Sequence, residues 1–149
     1  MSTTAVLVAN AAATWFMTGL IWMVQVVHYP LFSHADRAAY PAFADAHSRL
    51  ITPVVGPAML VELATALWLV QARPAAFPAR WAWVGAGLVG VIWLSTAFVQ
   101  VPLHGQLGSG YDARVHSALV ATNWVRTVAW SLRAILMGWV LVRALQSGG

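Results

Sequence analysis

The chain has 149 residues, of which 60% are hydrophobic and only 8% are charged, and its mean hydropathy is +0.72. A soluble domain of this size needs a more polar surface, so the composition predicts an integral membrane protein. The absence of cysteine excludes disulfides, thiolate metal ligands and thiol redox chemistry. The net charge of +4 comes without any basic run, which argues against a nucleic-acid partner.

Four apolar segments have the length needed to cross about 30 Å of hydrocarbon. Within a single domain over residues 1–149, they cover about residues 5–27, 53–70, 81–103 and 119–142. The first segment lacks a basic n-region, so it is predicted to be retained rather than cleaved as a signal. We therefore predict an all-α integral membrane protein, a bundle of four transmembrane helices in up-down order.

The longest polar stretch, residues 31–52, separates the first two spans. Tyr29-Pro30 is predicted to end or turn the first helix. A short amphipathic helix starting near Pro41 and lying at the membrane interface is predicted between helices 1 and 2. Pro53 and Pro57 then fall in the first turns of the second span, where proline is best tolerated.

Glu62 lies near the middle of the second span, where a carboxylate is costly unless it is protonated or paired. Two arginines of the fourth span, Arg126 and Arg133, are candidate partners. Such a buried pair gives little net stability but is costly to break from one side. The alternative is that Glu62 acts as a metal ligand or as a proton-transfer base.

The third span carries a small-residue stripe at Ala82, Ala86 and Gly90, where another helix can approach closely. Nearer its end, Thr96, Gln100 and His104 recur every four residues and share one face. Polar side chains aligned in this way normally face protein or a water-filled cavity rather than lipid.

Membrane orientation follows from the arginines. The amino terminus, the 72–80 loop and the carboxyl tail hold three of them, as do the loops on the opposite side. Arg73 and Arg80 lie in the shortest loop, which favours both termini on the cytoplasmic side of an inner membrane of bacterial type.

Alternating spans place His28, His47 and His104 on one side of the membrane, opposite the termini, with Asn123 and Arg126. The glutamines Gln25 and Gln100 lie about one turn below, and Glu62 lies deeper. This convergence predicts a polar cavity that opens at one face. His34 and His116 are expected in solvent.

Histidine and carboxylate together form a ligand set for iron, copper or zinc. The predicted metal ligands are His28, His47, His104 and Glu62, or two of the histidines as axial ligands of a haem. Gln25 and Gln100 would fix the imidazole orientation at this cofactor site. Asn123 and Arg126 would bind the polar end of a substrate or an oxyanion. The alternative for each histidine is an interfacial imidazole bonded to a backbone carbonyl.

Two motifs in the last third of the chain, VPLHGQL at 101–107 and NWVRT at 123–127, resemble small four-helix membrane proteins of the anthrone-oxygenase-like family. In that family a Val-Pro-Leu-Asn-like element ends the third helix and an Arg-Thr pair lies in the fourth. His104 takes the asparagine position here. The resemblance implies a membrane-embedded oxidative activity on a hydrophobic small molecule.

The leading hypothesis is therefore a metal- or haem-dependent oxidoreductase that takes a hydrophobic small-molecule substrate from the lipid bilayer. One alternative is a small transporter, or a proton or anion relay through Glu62 and the arginines. A chain of this size would usually need to form a homo-oligomer in order to make a pore. The other alternative is a structural subunit of a larger membrane complex.

Overall fold

The computed structural model describes residues 2–147, so residues 1, 148 and 149 of the predicted domain lie outside it. The chain is 88% helical, and no strand occurs within the described range. Its four helices are α1 (Thr3–His34), α2 (Tyr40–Gln71), α3 (Ala79–Gly108) and α4 (Ala113–Ser147). Each is long and apolar enough to cross a membrane, which confirms the predicted all-α class.

Helices α1 and α3 each contain one π-helical turn, at Val24–His28 and at Thr96–Gln100. Each turn ends two residues before a proline, Pro30 or Pro102. The wider turn lets the helix continue past a ring that would otherwise press against the preceding carbonyl. The prediction that Tyr29-Pro30 ends or turns the first helix is therefore wrong, since α1 continues to His34.

Helix α2 is continuous, so the prediction of a separate interfacial helix before the second span is wrong. A single inward-facing stripe runs along it: Tyr40, Ala44, His47, Ile51, Val55, Met59, Glu62, Ala66 and Leu69. The spacing of three or four residues is that of one uninterrupted helix. Pro53 and Pro57 lie off this stripe on the exposed face, so packing of the stripe holds the helix together across both prolines.

Helices α1 and α3 each pack against both α2 and α4. Two apolar clusters fill the interior. One surrounds Phe32, Tyr40 and Trp130, near the end of α1 and the start of α2. The other surrounds Leu7, Leu69 and Val140, near the opposite ends of these helices.

A buried ion pair joins Glu62 of α2 to Arg133 of α4, with 2.8 Å between Glu62 Oε1 and Arg133 Nε. Thr14 donates a hydrogen bond to Oε1, and the Trp130 indole donates to Oε2. Arg133 also donates to the carbonyl of Gly85 in α3. All four helices thus meet at this pair, which is the structural alternative considered for Glu62.

The close approach of α3 to α4 occurs at Gly85. A Cβ there would lie 3.3 Å from Leu136 Cδ2 and 3.4 Å from Arg133 NH1. By contrast, nothing lies within 4 Å of a Cβ built on Gly90, a member of the predicted small-residue stripe. The Arg133 guanidinium therefore fits beside α3 because residue 85 has no side chain.

Replacing Glu62 with leucine should lower the free energy of unfolding by about 3–5 kcal/mol, because Arg133 then keeps a buried charge without a counter-ion. The double variant Glu62→Leu/Arg133→Met removes both charges and should recover most of the loss. Denaturant unfolding in detergent, followed by circular dichroism, measures both values. Equal losses in the single and double variants would contradict the assignment.

Candidate functional site

Three histidines from three helices lie together. His28 Nε2 and His47 Nδ1 are 3.0 Å apart, within hydrogen-bond distance. The His47 and His104 rings are stacked, with 5.1 Å between their centroids and 28° between their planes. Phe32 makes edge contacts with all three imidazoles. The structure thus brings together the histidines that the sequence assigns to one side.

Tyr29 links these imidazoles to Arg126. Its hydroxyl lies 2.9 Å from His104 Nε2 and accepts a hydrogen bond of 3.3 Å from Arg126 NH2. Because a guanidinium only donates, the tyrosine oxygen accepts from Arg126, and its hydrogen is free to be donated to His104. Tyr29 is missing from the sequence-predicted site because Tyr29-Pro30 is interpreted there as the end of a helix. Its spacing of four residues from Gln25 is the signal that places it on the same face.

His116 is buried, so the expectation that it lies in solvent is wrong. Its Nε2 is 2.8 Å from the carbonyl oxygen of Tyr29, and its Nδ1 is 3.3 Å from the hydroxyl of Tyr111. It therefore holds the end of α1 against the start of α4. His34 is exposed, as expected.

Arg126 is buried, and its hydrogen-bond partners are neutral. Nε donates to Asn123 Oδ1 at 2.9 Å, NH1 donates to Thr96 Oγ1 at 3.3 Å, and NH2 donates to Gln100 Oε1 at 3.3 Å. Asn123 in turn donates to Gln25 Oε1 at 2.7 Å. Within residues 2–147, the two glutamines thus support Arg126 and Asn123 rather than the imidazoles.

A cavity of about 730 Å³ adjoins these groups, within the usual size range of small-molecule sites. Most of its wall is apolar, contributed by all four helices. Representative side chains are Ile21, Val55, Met59, Trp93 and Trp130.

The polar part of the wall is formed in the interior by Tyr29, His47, Thr96, Gln100, His104 and Arg126, and near the surface by Asp45, Ser48 and Thr52. The remaining side of the cavity opens between α2 and α3, where the lining residues Ser48, Thr52, Val101 and Gly105 are exposed on the outer surface.

Glu62 is separated from this histidine cluster. Both of its carboxylate oxygens are engaged by Thr14, Trp130 and Arg133, and it does not line the cavity. The structure therefore places Glu62 in the ion pair that joins the helices, not beside the predicted ligands.

Within the described residues, the histidine cluster does not match a metal site built from three or more side chains. Zinc sites use three or four protein ligands that converge on one point, and among residues 2–147 no three His, Cys, Asp or Glu side chains form such a group. His28 and His47 are paired with each other, and His104 is paired with Tyr29. The arrangement is instead that of a hydrogen-bonded acid–base cluster beside an apolar chamber.

Comparison of the chain with protein-family models, curated proteins and solved structures gives no match.

Replacing Tyr29 with phenylalanine should remove the bridge between Arg126 and His104. The free energy of unfolding should fall by about 1 kcal/mol, as for loss of one hydrogen bond. Nitrogen NMR of labelled histidine should show a changed tautomer population at His104, because its Nε2 loses its partner. An unchanged His104 spectrum would show that the tyrosine does not set the state of this imidazole.

Proposed function

We propose that the chain is an integral membrane protein whose four helices span the bilayer in up-down order. Its outer surface supports this, since large apolar side chains such as Phe98 and Leu145 are 73% and 79% exposed. Arg73 and Arg80, which flank the connection between α2 and α3, favour termini on the cytoplasmic side of an inner membrane of bacterial type.

The proposed activity is that of an oxidoreductase acting on a hydrophobic small molecule bound in the cavity. The observation that carries it is an apolar chamber whose polar wall contains imidazoles and a buried guanidinium. Such a site holds an apolar body and directs its polar group at proton-transfer and anion-stabilising side chains. The resemblance of residues 101–107 and 123–127 to the anthrone-oxygenase-like family favours oxidation as the reaction.

His47 is the proposed general base. His47 lines the cavity, whereas His28 lies behind it. When the N–H group at His47 Nδ1 donates its hydrogen bond to His28 Nε2, the Nε2 atom of His47 carries no hydrogen and is free to accept a proton from the substrate. His28 then acts as a positioning residue that fixes the tautomer of His47. Within residues 2–147, His47 Nε2 makes no hydrogen bond that would compete with this role.

Arg126 is the proposed stabiliser of the charge formed when the substrate loses its proton. Asn123, Gln100 and Tyr29 hold the guanidinium in place before the reaction, so little reorganisation is needed as charge develops. The best substrates are molecules whose conjugate base carries charge on oxygen, such as phenols and the carbon acids next to an aromatic ketone.

Dioxygen is the proposed oxidant, since it is small, apolar and able to share the chamber. For a carbon acid of the anthrone type, a methylene group and one dioxygen give a carbonyl and one water. The protein contributes removal of the first proton and stabilisation of the resulting enolate.

The opening between α2 and α3 provides the proposed route for the substrate. In the proposed membrane arrangement this opening faces lipid, and a hydrophobic molecule reaches the chamber without crossing water.

The test is oxygen consumption by the detergent-purified protein with anthrone as substrate. His47→Gln should lower the rate above the uncatalysed background by at least about a hundredfold, as for loss of a general base. His28→Gln should give a smaller loss, because the base remains but its tautomer is no longer fixed.

The matched control is His34→Gln, which changes an exposed histidine outside the cavity and should leave the rate unchanged. Melting temperatures of all variants separate loss of chemistry from loss of fold. Equal rates for folded His47→Gln and wild-type protein would rule out the proposed base.

A further inference from the structure

The two buried arginines of α4 differ in their partners. Arg133 is 1% exposed and is paired with the carboxylate of Glu62. Arg126, two turns earlier, is 8% exposed and forms no ion pair with any described residue. A buried charge without a counter-ion is costly, so an arginine in this state needs an explanation.

The four acidic side chains of the chain are all engaged elsewhere. Glu62 is paired with Arg133, and Asp45 is paired with Arg49 at the exposed surface. Asp36 and Asp112 accept hydrogen bonds from backbone N–H groups just after them. The chain therefore supplies no carboxylate side chain for Arg126.

The hydrogen bonds of Arg126 leave one edge of the guanidinium weakly occupied. The Nε/NH2 edge is held by Asn123 Oδ1. The NH1/NH2 edge makes only long bonds of 3.3 Å, to Thr96, Tyr29 and Gln100. A guanidinium has five N–H donors, and one of the two on NH1 has no partner among the described residues.

We infer that the cavity binds its ligand as an oxygen monoanion seated on the NH1/NH2 edge of Arg126. This rests on the proposed function and specifies its substrate class: an amphiphile with an apolar body and a phenolate, enolate or carboxylate head group. The ligand supplies the counter-ion that the chain lacks, and two N–H donors of this edge match two lone pairs of an oxyanion or a carboxylate. His104 and His47 line the same cavity as Arg126.

The binding probe is an alkyl-substituted nitrophenol, whose phenolate absorbs visible light and whose phenol does not. A cation within about 4–6 Å favours the ionised form, so the pKa of the bound nitrophenol should fall by about one to three pH units. The titration is run with wild-type protein in detergent at constant ionic strength, and the same micelles without protein give the reference curve.

Arg126→Gln should abolish the shift in the pKa of the nitrophenol and weaken nitrophenol binding at least about tenfold. Glutamine retains a hydrogen-bond donor for Asn123 but carries no charge. Arg114→Gln is the matched control, because it removes an exposed arginine that does not line the cavity. This control should titrate like the wild type.

Competition on the wild-type protein needs no variant to fold. Laurate should displace the nitrophenol, whereas dodecanol and dodecyltrimethylammonium, which have the same chain length, should not. Displacement by laurate assigns carboxylates to the accepted ligands, and a shifted titration that laurate does not affect restricts them to phenolates and enolates.

An unshifted titration, or equal displacement by dodecanol, would overturn the anion site. The titration is run without dioxygen, the proposed oxidant, so its outcome is independent of turnover. A shifted titration in a wild-type protein that consumes no oxygen with anthrone would leave the anion site standing and remove the proposed oxidation. An unshifted titration alongside an inactive His47→Gln would do the reverse.

Discussion

Two guanidinium groups enter the interior from one face of α4, and the other helices are arranged around the need to satisfy them. Arg133 is neutralised by the carboxylate of Glu62 and donates a hydrogen bond to the carbonyl oxygen of Gly85. These two contacts hold α2 and α3 against α4. Arg126 donates hydrogen bonds only to neutral oxygen atoms, those of Asn123 and of residues in or beside the π-helical turns of α1 and α3. The charge of Arg133 is balanced, and this ion pair joins helices. Arg126 remains positively charged beside the cavity, and this difference between the two arginines is what supports the proposed function.

The π turns give the second site its shape. Each inserts an extra residue before a proline and so sets the direction of the side chains around it. Through these turns Tyr29 of α1 and Gln100 of α3 both reach Arg126 of α4. The same irregularity that lets the helices pass Pro30 and Pro102 therefore builds the polar wall of the chamber.

Hydropathy and helical spacing are sufficient to predict four long apolar helices and to place His28, His47 and His104 on one side of the bundle. They were insufficient where proline was involved. Pro53 and Pro57 suggested a helix start, whereas the inward stripe from Tyr40 to Leu69 continues through them. The sequence left two candidate partners for Glu62, Arg126 and Arg133. Which of them pairs with Glu62 depends on how far α4 is shifted along its axis relative to α2, and residue spacing within one helix carries no information on that shift.

The most direct test of the account is an experimental structure of the protein bound to the alkyl nitrophenol in a lipid environment. We expect the phenolate oxygen about 2.7–3.2 Å from NH1 or NH2 of Arg126, with the alkyl chain extending towards the opening between α2 and α3. A ligand with its oxygen at the opening and its chain against Arg126, or one bound outside the cavity, would contradict it.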